Sequence, residues 1–582
     1  MRGWLLALLL LTPALAGCLD GIDEALSRNS VDAPDYDHLD APDATDILDG
    51  VGTRTFIFEA TTEQAGVQSI LGIQSPVWVT NLEVDETVGY VEVVIRYDEA
   101  DGDLFAFLAD EDGRTQCGAN TFGVPKRCTT PVNPGSGVAE WWVDVTPGYE
   151  SVPEGMPFTL EVTLHPPSHL PVTDPTEGTD PEITFRISDT GRNGAEPTMG
   201  ITSDGTLFAI EGTSLMRSQD DGRTWQEVSP PGNDQVSFDP MMRVDPYTDA
   251  VYVDHLYVGC STLSWSEDKG ETWATNQAAC GAPANDHQKL AVGPNPTPAP
   301  FNAVYYAYSS FAEGAWVSRS LDGGVTWTTT PVTLDAPYRN TGPVEADREG
   351  TVFVPYYLCD GGMGVGVSND HGATFQFQRI AEDAITCGGT HRTDADAGPA
   401  VDAAGNLYIA YRTDHAVRYV YSTDKGQSWS DPITVNPSNL ESFTHVDAIA
   451  GDEGKLAIVY RATPDSALGP NSDGFAAWHL YVTFVDLATT GEPEVTTALV
   501  NDPEDPVQRG PICSMGAACA GGSRNLLDFI DIQVGPDGRV YAAYADGCDA
   551  PCPTPADSRE RMGLVAILEE GPRLFEDEAP WA

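Results

Sequence analysis

The sequence predicts an all-β chain: a β-propeller, with seven blades favoured and six as the fallback, preceded by a small β-sandwich. Three observations carry this expectation. An octet of the form S-x-D-x-G-x-T-W begins at Ser218, Ser266, Ser320, Ser368 and Ser422, so its starts lie 48, 54, 48 and 54 residues apart, the length of one four-stranded blade. Ahead of each octet stands a matched pair of short apolar runs, and two further pairs, VDAIAGDEGKLAIVYR and FIDIQVGPDGRVYAAY, continue the series without an octet. Finally, 57 glycines and 44 prolines in 582 residues cut the chain into turns and short strands and leave little room for long helices.

The elements follow in chain order. Arg2, the apolar run Leu5 to Leu11 and the small residues ending at Cys18 (LAGC) read as an export signal, residues 1–18, too short to span a bilayer. Small residues directly before a cysteine resemble the lipobox of prokaryotic lipoproteins. That resemblance implies lipidation at Cys18 and a protein anchored through lipid on the outer side of a prokaryotic membrane; an ordinary signal with a chance cysteine is the alternative. Residues 19–50, rich in Asp, Ala and Pro without an apolar period, are expected to be an unfolded acidic tether.

Over 51–166, the runs VWVTNLEV, YVEVVIRY, LFAFLAD, AEWWVDV and FTLEVTL alternate apolar and polar residues between turns, the pattern of a two-sheet sandwich. DGDLFAFLADEDGR and FTLEVTL resemble the jelly-roll modules called pre-peptidase C-terminal domains, a likeness covering about a fifth of the chain. The acidic turns DEADGD and DEDG could hold calcium, although plain turns are the preferred reading and no cofactor is required. A linker rich in proline and acid, 167–182, leads to the propeller at 183–575. There ITFRIS, Ile183 to Ser188, is expected to add an outer strand to the last blade and so remove the open edges of the ring.

Charge narrows the function classes. With 88 acids against 30 bases the formal charge is −58, which repels phosphate backbones and excludes nucleic acid as a partner. Only five lysines are present (Lys126, Lys269, Lys289, Lys425, Lys455), as expected of a carboxylate-rich surface kept soluble in salty medium. Removing Cys18 leaves ten cysteines in a chain sent to an oxidising compartment. They fall into sequence-local couples, giving the expected disulfides Cys117–Cys128, Cys260–Cys280, Cys359–Cys387, Cys513–Cys519 and Cys548–Cys552. Zinc is the competing reading, but the couples lack companion ligands at finger-like spacing. A monomer is expected.

The octet resembles the Asp-box, or BNR repeat, of sialidases and related propellers, with Phe375 and Ser428 as mild departures. Its parts make a hairpin: the aspartate accepts amides of its own turn, the glycine permits a positive φ, and the aromatic wedges between strands. If the octet joins the third strand of a blade to the outer one, Asp220, Asp268, Asp322, Asp370 and Asp424 lie at the periphery of one face, with Trp225, Trp273, Trp327, Phe375 and Trp429 beneath them. They cannot then converge on one ligand. The octet is expected to be scaffold.

A ligand is expected on the opposite, entrance face, lined by residues just before each inner strand and just after each second strand. The candidate binding residues there are Glu196, Asp239, His255, Asp286, His287, Arg339, Asp394, Arg412 and Arg461. The sialidase resemblance implies three arginines on a sugar carboxylate, a tyrosine nucleophile with a glutamate, and an aspartate acid/base. Arg339, Arg412 and Arg461 are candidates for that clamp, with Tyr411 or Tyr460 as nucleophile. The family's first arginine belongs to an R-I-P motif, whose slots here hold Ala195 and Glu196 ahead of Pro197, so sialate would meet a carboxylate instead. Asp286 with Asp394 is the candidate pair for a carboxylate mechanism. The histidines His255, His287, His391, His415 and His445 are better read as satisfied loop residues than as metal ligands. The expectation leans away from an enzyme, towards a glycan- or protein-binding surface lipoprotein; a sialidase-type or paired-carboxylate glycoside hydrolase is the alternative, and a structural scaffold of the envelope the third reading.

Overall fold

The computed structural model describes residues 45–48, 54–65, 76–84, 88, 90–98, 100–109, 115–119, 124–131, 139–148, 151–165, 174–194, 196–231, 238–256, 261–278, 285–310, 314–333, 338–385, 397–465, 469–470, 476–510, 512, 526–547 and 562–577. Cys18, Ala195, His391, Asp394, Cys260, Cys280, Cys387, Cys513, Cys519, Cys548 and Cys552 lie outside these residues, as do the side chains of Cys117, Asp239, Asp286 and Arg339. Among the described residues, no helix is long and apolar enough to cross a membrane.

The sandwich follows from alternation. In Pro157–His165 every second side chain is buried, and Phe158, Leu160, Val162 and Leu164 face the core. One sheet orders its strands as Thr45–Leu48, Arg54–Thr61, Pro157–His165, Tyr90–Tyr97 and Lys126–Pro131; the other as Trp78–Val84, Ala139–Pro147, Leu104–Ala109 and Thr115–Ala119. Leaving aside the first strand, this interlocked order is a jelly roll. Its core joins both sheets through Trp78, Trp141, Val143, Val93 and Phe158. The tether expected to run to residue 50 is shorter, because Thr45–Leu48 pairs with Arg54–Ile57. Asp103, in the turn that could have held calcium, instead accepts from Lys126 Nζ and Tyr97 Oη, both at 2.5 Å. Cys128 and Cys359 are each disulfide-bonded; the pairing expected with Cys117 and Cys387 falls on side chains outside the described residues.

Seven further sheets of four or five strands form the propeller. Their inner strands are Thr198–Ile201, Phe238–Val244, Asn285–Gly293, Tyr338–Thr341 continued by Glu345–Ala346, Gly398–Val401, Ser442–Ala450 and Asp531–Val534, here blades one to seven. Each inner strand neighbours the next, and the seventh returns to the first, so the ring is closed. Blade seven takes its outer strand from the start of the domain: Thr184–Asn193 pairs antiparallel with Met562–Glu570, Arg186 opposite Ile567. This also explains why blade seven lacks the octet, since its third and outer strands are not consecutive in the chain. In blade six a different turn, opened by Leu487 at φ 55°, takes the octet's place between Ala477–Asp486 and Glu494–Leu499.

Part of the expected linker belongs to the propeller. Asp180 donates its amide to the Thr497 carbonyl at 2.7 Å, Tyr481 donates to the Pro175 carbonyl at 3.0 Å, and Gly178 lies against Pro437. Residues 174–182 therefore rest on blades five and six.

Candidate functional site

The octets join third to outer strands, for example Ser214–Ser218 to Gln226–Glu227, and their polar atoms are used locally. Asp220 accepts the Thr224 amide at 2.8 Å and the Thr224 hydroxyl at 2.6 Å, while the Ser218 hydroxyl receives the Gly222 amide at 2.9 Å. The same bonds recur at Asp268, Asp322, Asp370 and Asp424. They hold the carboxyls of Asp220, Asp268 and Asp424 down at about 2, chiefly through the threonine or serine hydroxyl.

Two features of the octet exceed what sequence suggested. The residue before the glycine is left-handed too: Asp221, Lys269, His371 and Lys425 have φ between 56° and 60°. That posture aims it at the preceding blade, where Lys269 meets Asp204, Lys425 meets Glu349, and His371 Nδ1 lies 3.2 Å from the Pro294 carbonyl. The aromatic wedges between blades rather than within one: Trp273 packs with residues of blades one and two, and Trp225 with residues of blades one and seven. The octet is thus a rivet between neighbouring sheets. At the closing seam, Asp221 gathers Arg539 at 2.8 and 3.1 Å, Arg186 at 2.9 Å and Tyr541 at 3.2 Å. The shared carboxyl lies below its ordinary value because these cations outweigh the opposing effect of its burial.

On the opposite side, Arg412 ends its second strand, Arg461 lies two residues before the end of its own, and both are fully buried. Arg412 Nη1 donates to the Phe443 carbonyl at 3.1 Å, and Arg461 Nη2 to the Ala545 carbonyl at 3.0 Å, each on the next blade. Burial lowers the two guanidiniums to about 10 and about 9, so both stay charged at neutral pH. Both lie within electrostatic range of His445, which burial, reinforced by Arg461, keeps neutral. His445 Nε2 is 2.8 Å from the Leu527 carbonyl, an acceptor only, so the ring proton sits on Nε2.

The tyrosines beside these arginines pack between neighbouring blades, Tyr411 against residues of blade four and Tyr460 against residues of blade five. Tyr411 donates to Asp383 at 2.9 Å, and Tyr460 shares a 3.0 Å hydrogen bond with Thr483 and stacks on Tyr481 at 5.8 Å. Among the described residues neither hydroxyl bonds a glutamate, and burial raises both above the ordinary tyrosine value. Glu196, His287 and His445 stand just before or at the start of their inner strands with φ of 46°, 51° and 50°, left-handed postures costing about 1–3 kcal/mol each for such residues. All three are buried, as is His255, whose imidazole burial lowers to about 4.

Sequence reasoning missed the channel along the axis. Only side chains inside the ring can join blades that are not adjacent. Arg243 of blade two reaches Glu345 of blade four at 2.7 Å, and Lys289 of blade three lies 3.1 Å from the Phe529 ring that precedes the inner strand of blade seven. His287 meets the same ring edge-on at 5.1 Å. Phe529 therefore lies across the mouth. Beneath it Asp447 and Asp531 face the axis from blades six and seven, partly exposed; enclosure in the ring raises both carboxyls, and Asp447 is raised further by its neighbour. The Met199 amide donates to Asp531 at 2.7 Å and the Ile532 amide to Asp447 at 3.2 Å. The signal that could have found this group is a charge at an axis-facing position of an otherwise apolar inner strand (MRV, VEA, VDAIA, IDIQV). Among the described residues no three His, Cys, Asp or Glu side chains group to hold a metal.

Five riveting turns in a closed ring of seven sheets make this a seven-bladed β-propeller whose octets resemble the Asp-box. Residues 303–468 match the BNR repeat-like domain. No curated protein matches the chain. Similar solved structures include a protein of unknown function from Dyadobacter fermentans, 13% identical with a TM-score of 0.36, covering 67% of this chain and all of that one. A leech intramolecular trans-sialidase complexed with 2,7-anhydro-Neu5Ac is 12% identical with a TM-score of 0.34, over 87% of this chain and 98% of that one. The six-bladed fucose-recognising lectin of Aleuria aurantia is 12% identical with a TM-score of 0.33, over 55% and 96%. Likeness of that extent assigns neither a substrate nor a residue.

Proposed function

We propose that this protein is an exported, lipid-anchored binding propeller that takes a glycan or protein ligand on the face opposite the octets and does not hydrolyse sialosides. One observation carries the reading. The groups that a sialidase would direct at substrate are engaged internally: Arg412 and Arg461 tie one blade to the next through carbonyls, and Tyr411 and Tyr460 are bonded to Asp383 and Thr483. A guanidinium with no exposed surface cannot clamp a carboxylate in solution, and a tyrosine raised by burial is a poor nucleophile. Among the described residues this face exposes Asp360, Asp414 and His415, on loops between second and third strands.

A second reading, hydrolysis by paired carboxylates, has one observation in its favour: Asp447 and Asp531 form an interacting pair with raised values, the pattern that separates acid from base. It would replace Asp286 and Asp394 as the pair. Phe529 across the mouth weighs against it.

The experiment combines a panel of fluorogenic sialosides and neutral glycosides with a glycan and protein-ligand array, using the full chain. Retained binding that is lost in Asp414→Ala/His415→Ala, with no turnover, is the expected result. Turnover abolished by Asp531→Asn would establish the hydrolase instead.

A further inference from the structure

We propose that residues 571–577 form a detachable clasp, which takes the place of the octet that blade seven lacks and makes the seam between blades six and seven the one at which the ring opens first. The octets of blades two, four and five each follow a third strand and reach back to the turn after the inner strand of the preceding blade, Lys269 to Asp204, His371 to the Pro294 carbonyl and Lys425 to Glu349. Blade seven has a third strand, Met562–Glu570, but its outer place is filled by Thr184–Asn193. The chain beyond Glu570 therefore crosses to blade six instead of turning into an outer strand.

The bonds made there are an octet's bonds in another sequence. The Asp452 amide, in the turn after the inner strand of blade six, donates to the Leu574 carbonyl at 2.8 Å, and the Glu576 amide donates back to the Asp452 carboxylate at 2.9 Å. Lys455 Nζ meets Glu576 at 3.2 Å, the same kind of pair that Lys269 and Lys425 make. The Leu574 amide donates to the Gly538 carbonyl of blade seven at 2.9 Å, so the segment holds the turns of both blades. Leu574 and Phe575, 2% and 3% exposed, enter a core shared by blades six and seven, as Trp273 and Trp225 do at their own seams. Two glycines give it room: a Cβ on Gly451 would lie 2.2 Å from the Leu574 carbonyl oxygen, and one on Gly538 2.7 Å from that of Phe575.

Topology makes the clasp easier to lift than an octet. An octet is held at both ends by strands of its own blade, so lifting it unravels a sheet edge. Residues 571–577 are held by a strand of the blade on one side only, because the strand that completes blade seven comes from the start of the domain. They can peel away while the four strands of blade seven stay paired, a local opening that costs less than unfolding. Elsewhere along the seam the ties include Arg461 to the Ala545 carbonyl, His445 to the Leu527 carbonyl and the Ile532 amide to Asp447. Asp447 and Asp531 stand on opposite sides of it, so the clasp also sets how rigidly that pair is held.

The test is hydrogen exchange read by mass spectrometry on the full-length protein. Ile532 and Met199 supply a matched comparison, since each donates its amide to an aspartate of the preceding blade, Ile532 across blades six and seven and Met199 across blades seven and one. In the wild type Ile532 should exchange at least about tenfold faster than Met199. Leu574→Ala/Phe575→Ala, which empties the shared core, should speed Ile532 and Asp452 by at least about tenfold more while Met199 and Ala403, the latter bonded across blades five and six, keep their rates. Equal rates for Ile532 and Met199 in the wild type would overturn the clasp, as would a double variant that changes no rate or raises all of them alike. Should the double variant fail to fold, the wild-type comparison and Glu576→Gln decide, because Glu576 is exposed and its loss should speed Asp452 without moving Ala403.

Discussion

Asp221→Asn should unfasten the ring at its closing seam. Asparagine keeps the volume of the side chain and tolerates the φ of 60° at this position, so the substitution removes charge with little backbone cost. The carboxylate holds Arg539 by two bonds and Arg186 by one, and all three side chains are about a quarter exposed. Fully exposed pairs are worth about 0.2–1 kcal/mol and hydrogen bonds to buried charges about 1.5–3, so each guanidinium here contributes on the order of 1 kcal/mol. Arg186 keeps Glu569 and Arg539 keeps Asp537, which limits the damage. The predicted loss is about 2 kcal/mol. The folded carboxyl lies below the unfolded one, so this stability is fully present above the ordinary aspartate value and is lost as pH falls through the folded one. Urea unfolding of both proteins at pH 7 and again in acid, with hydrogen exchange read on Thr184–Asn193 and Met562–Glu570, measures the effect. Equal midpoints at pH 7 together with unchanged exchange in those two strands would refute the latch.

Three further outcomes are expected. Glu211, buried at the entrance end of the same seam against Gly563 with no hydrogen-bond partner among the described residues, has its carboxyl raised by desolvation and then by Asp189. Its neutral form is favoured, so wild-type stability relative to Glu211→Gln should fall as pH rises above the unfolded glutamate value; parallel urea midpoints from pH 4 to 8 would count against this. Tyr460→Phe should cost about 1 kcal/mol for the lost bond to Thr483 while leaving ligand binding and any glycoside turnover unchanged, and abolished turnover would make Tyr460 a nucleophile. Non-reducing peptide mapping should find Cys128 joined to Cys117 and Cys359 to Cys387, and reduction should lower stability by about 2–4 kcal/mol per bridge; other partners would show the local-couple rule to be wrong.

The blades were legible because their signals are local. An octet that satisfies its own amides within five residues needs no distant partner, and alternation in FTLEVTL reports its buried face directly. Closure by ITFRIS was legible for a related reason: a ring with a free strand at one end needs an edge to fill at the other. The candidate site was much less so. Arg412 and Arg461 share a sequence context, a tyrosine then an arginine after a strand, that suits a clamp as well as a tie, and only the carbonyl each one meets on the next blade separates the two.

The sequence by itself determined the repeat, the local hairpin turn of each octet, the excess of acid and the two-part architecture, because each rests on interactions between residues a few positions apart or on composition. Tertiary structure alone decided the count of seven, the Asp221 latch, the Phe529 stopper and the facing of Asp447 towards Asp531, which join residues from about 80 to more than 300 positions apart. Such meetings depend on how many sheets complete the circle and at what rotation each inner strand presents its side chains to the axis. Neither quantity is encoded in any single blade.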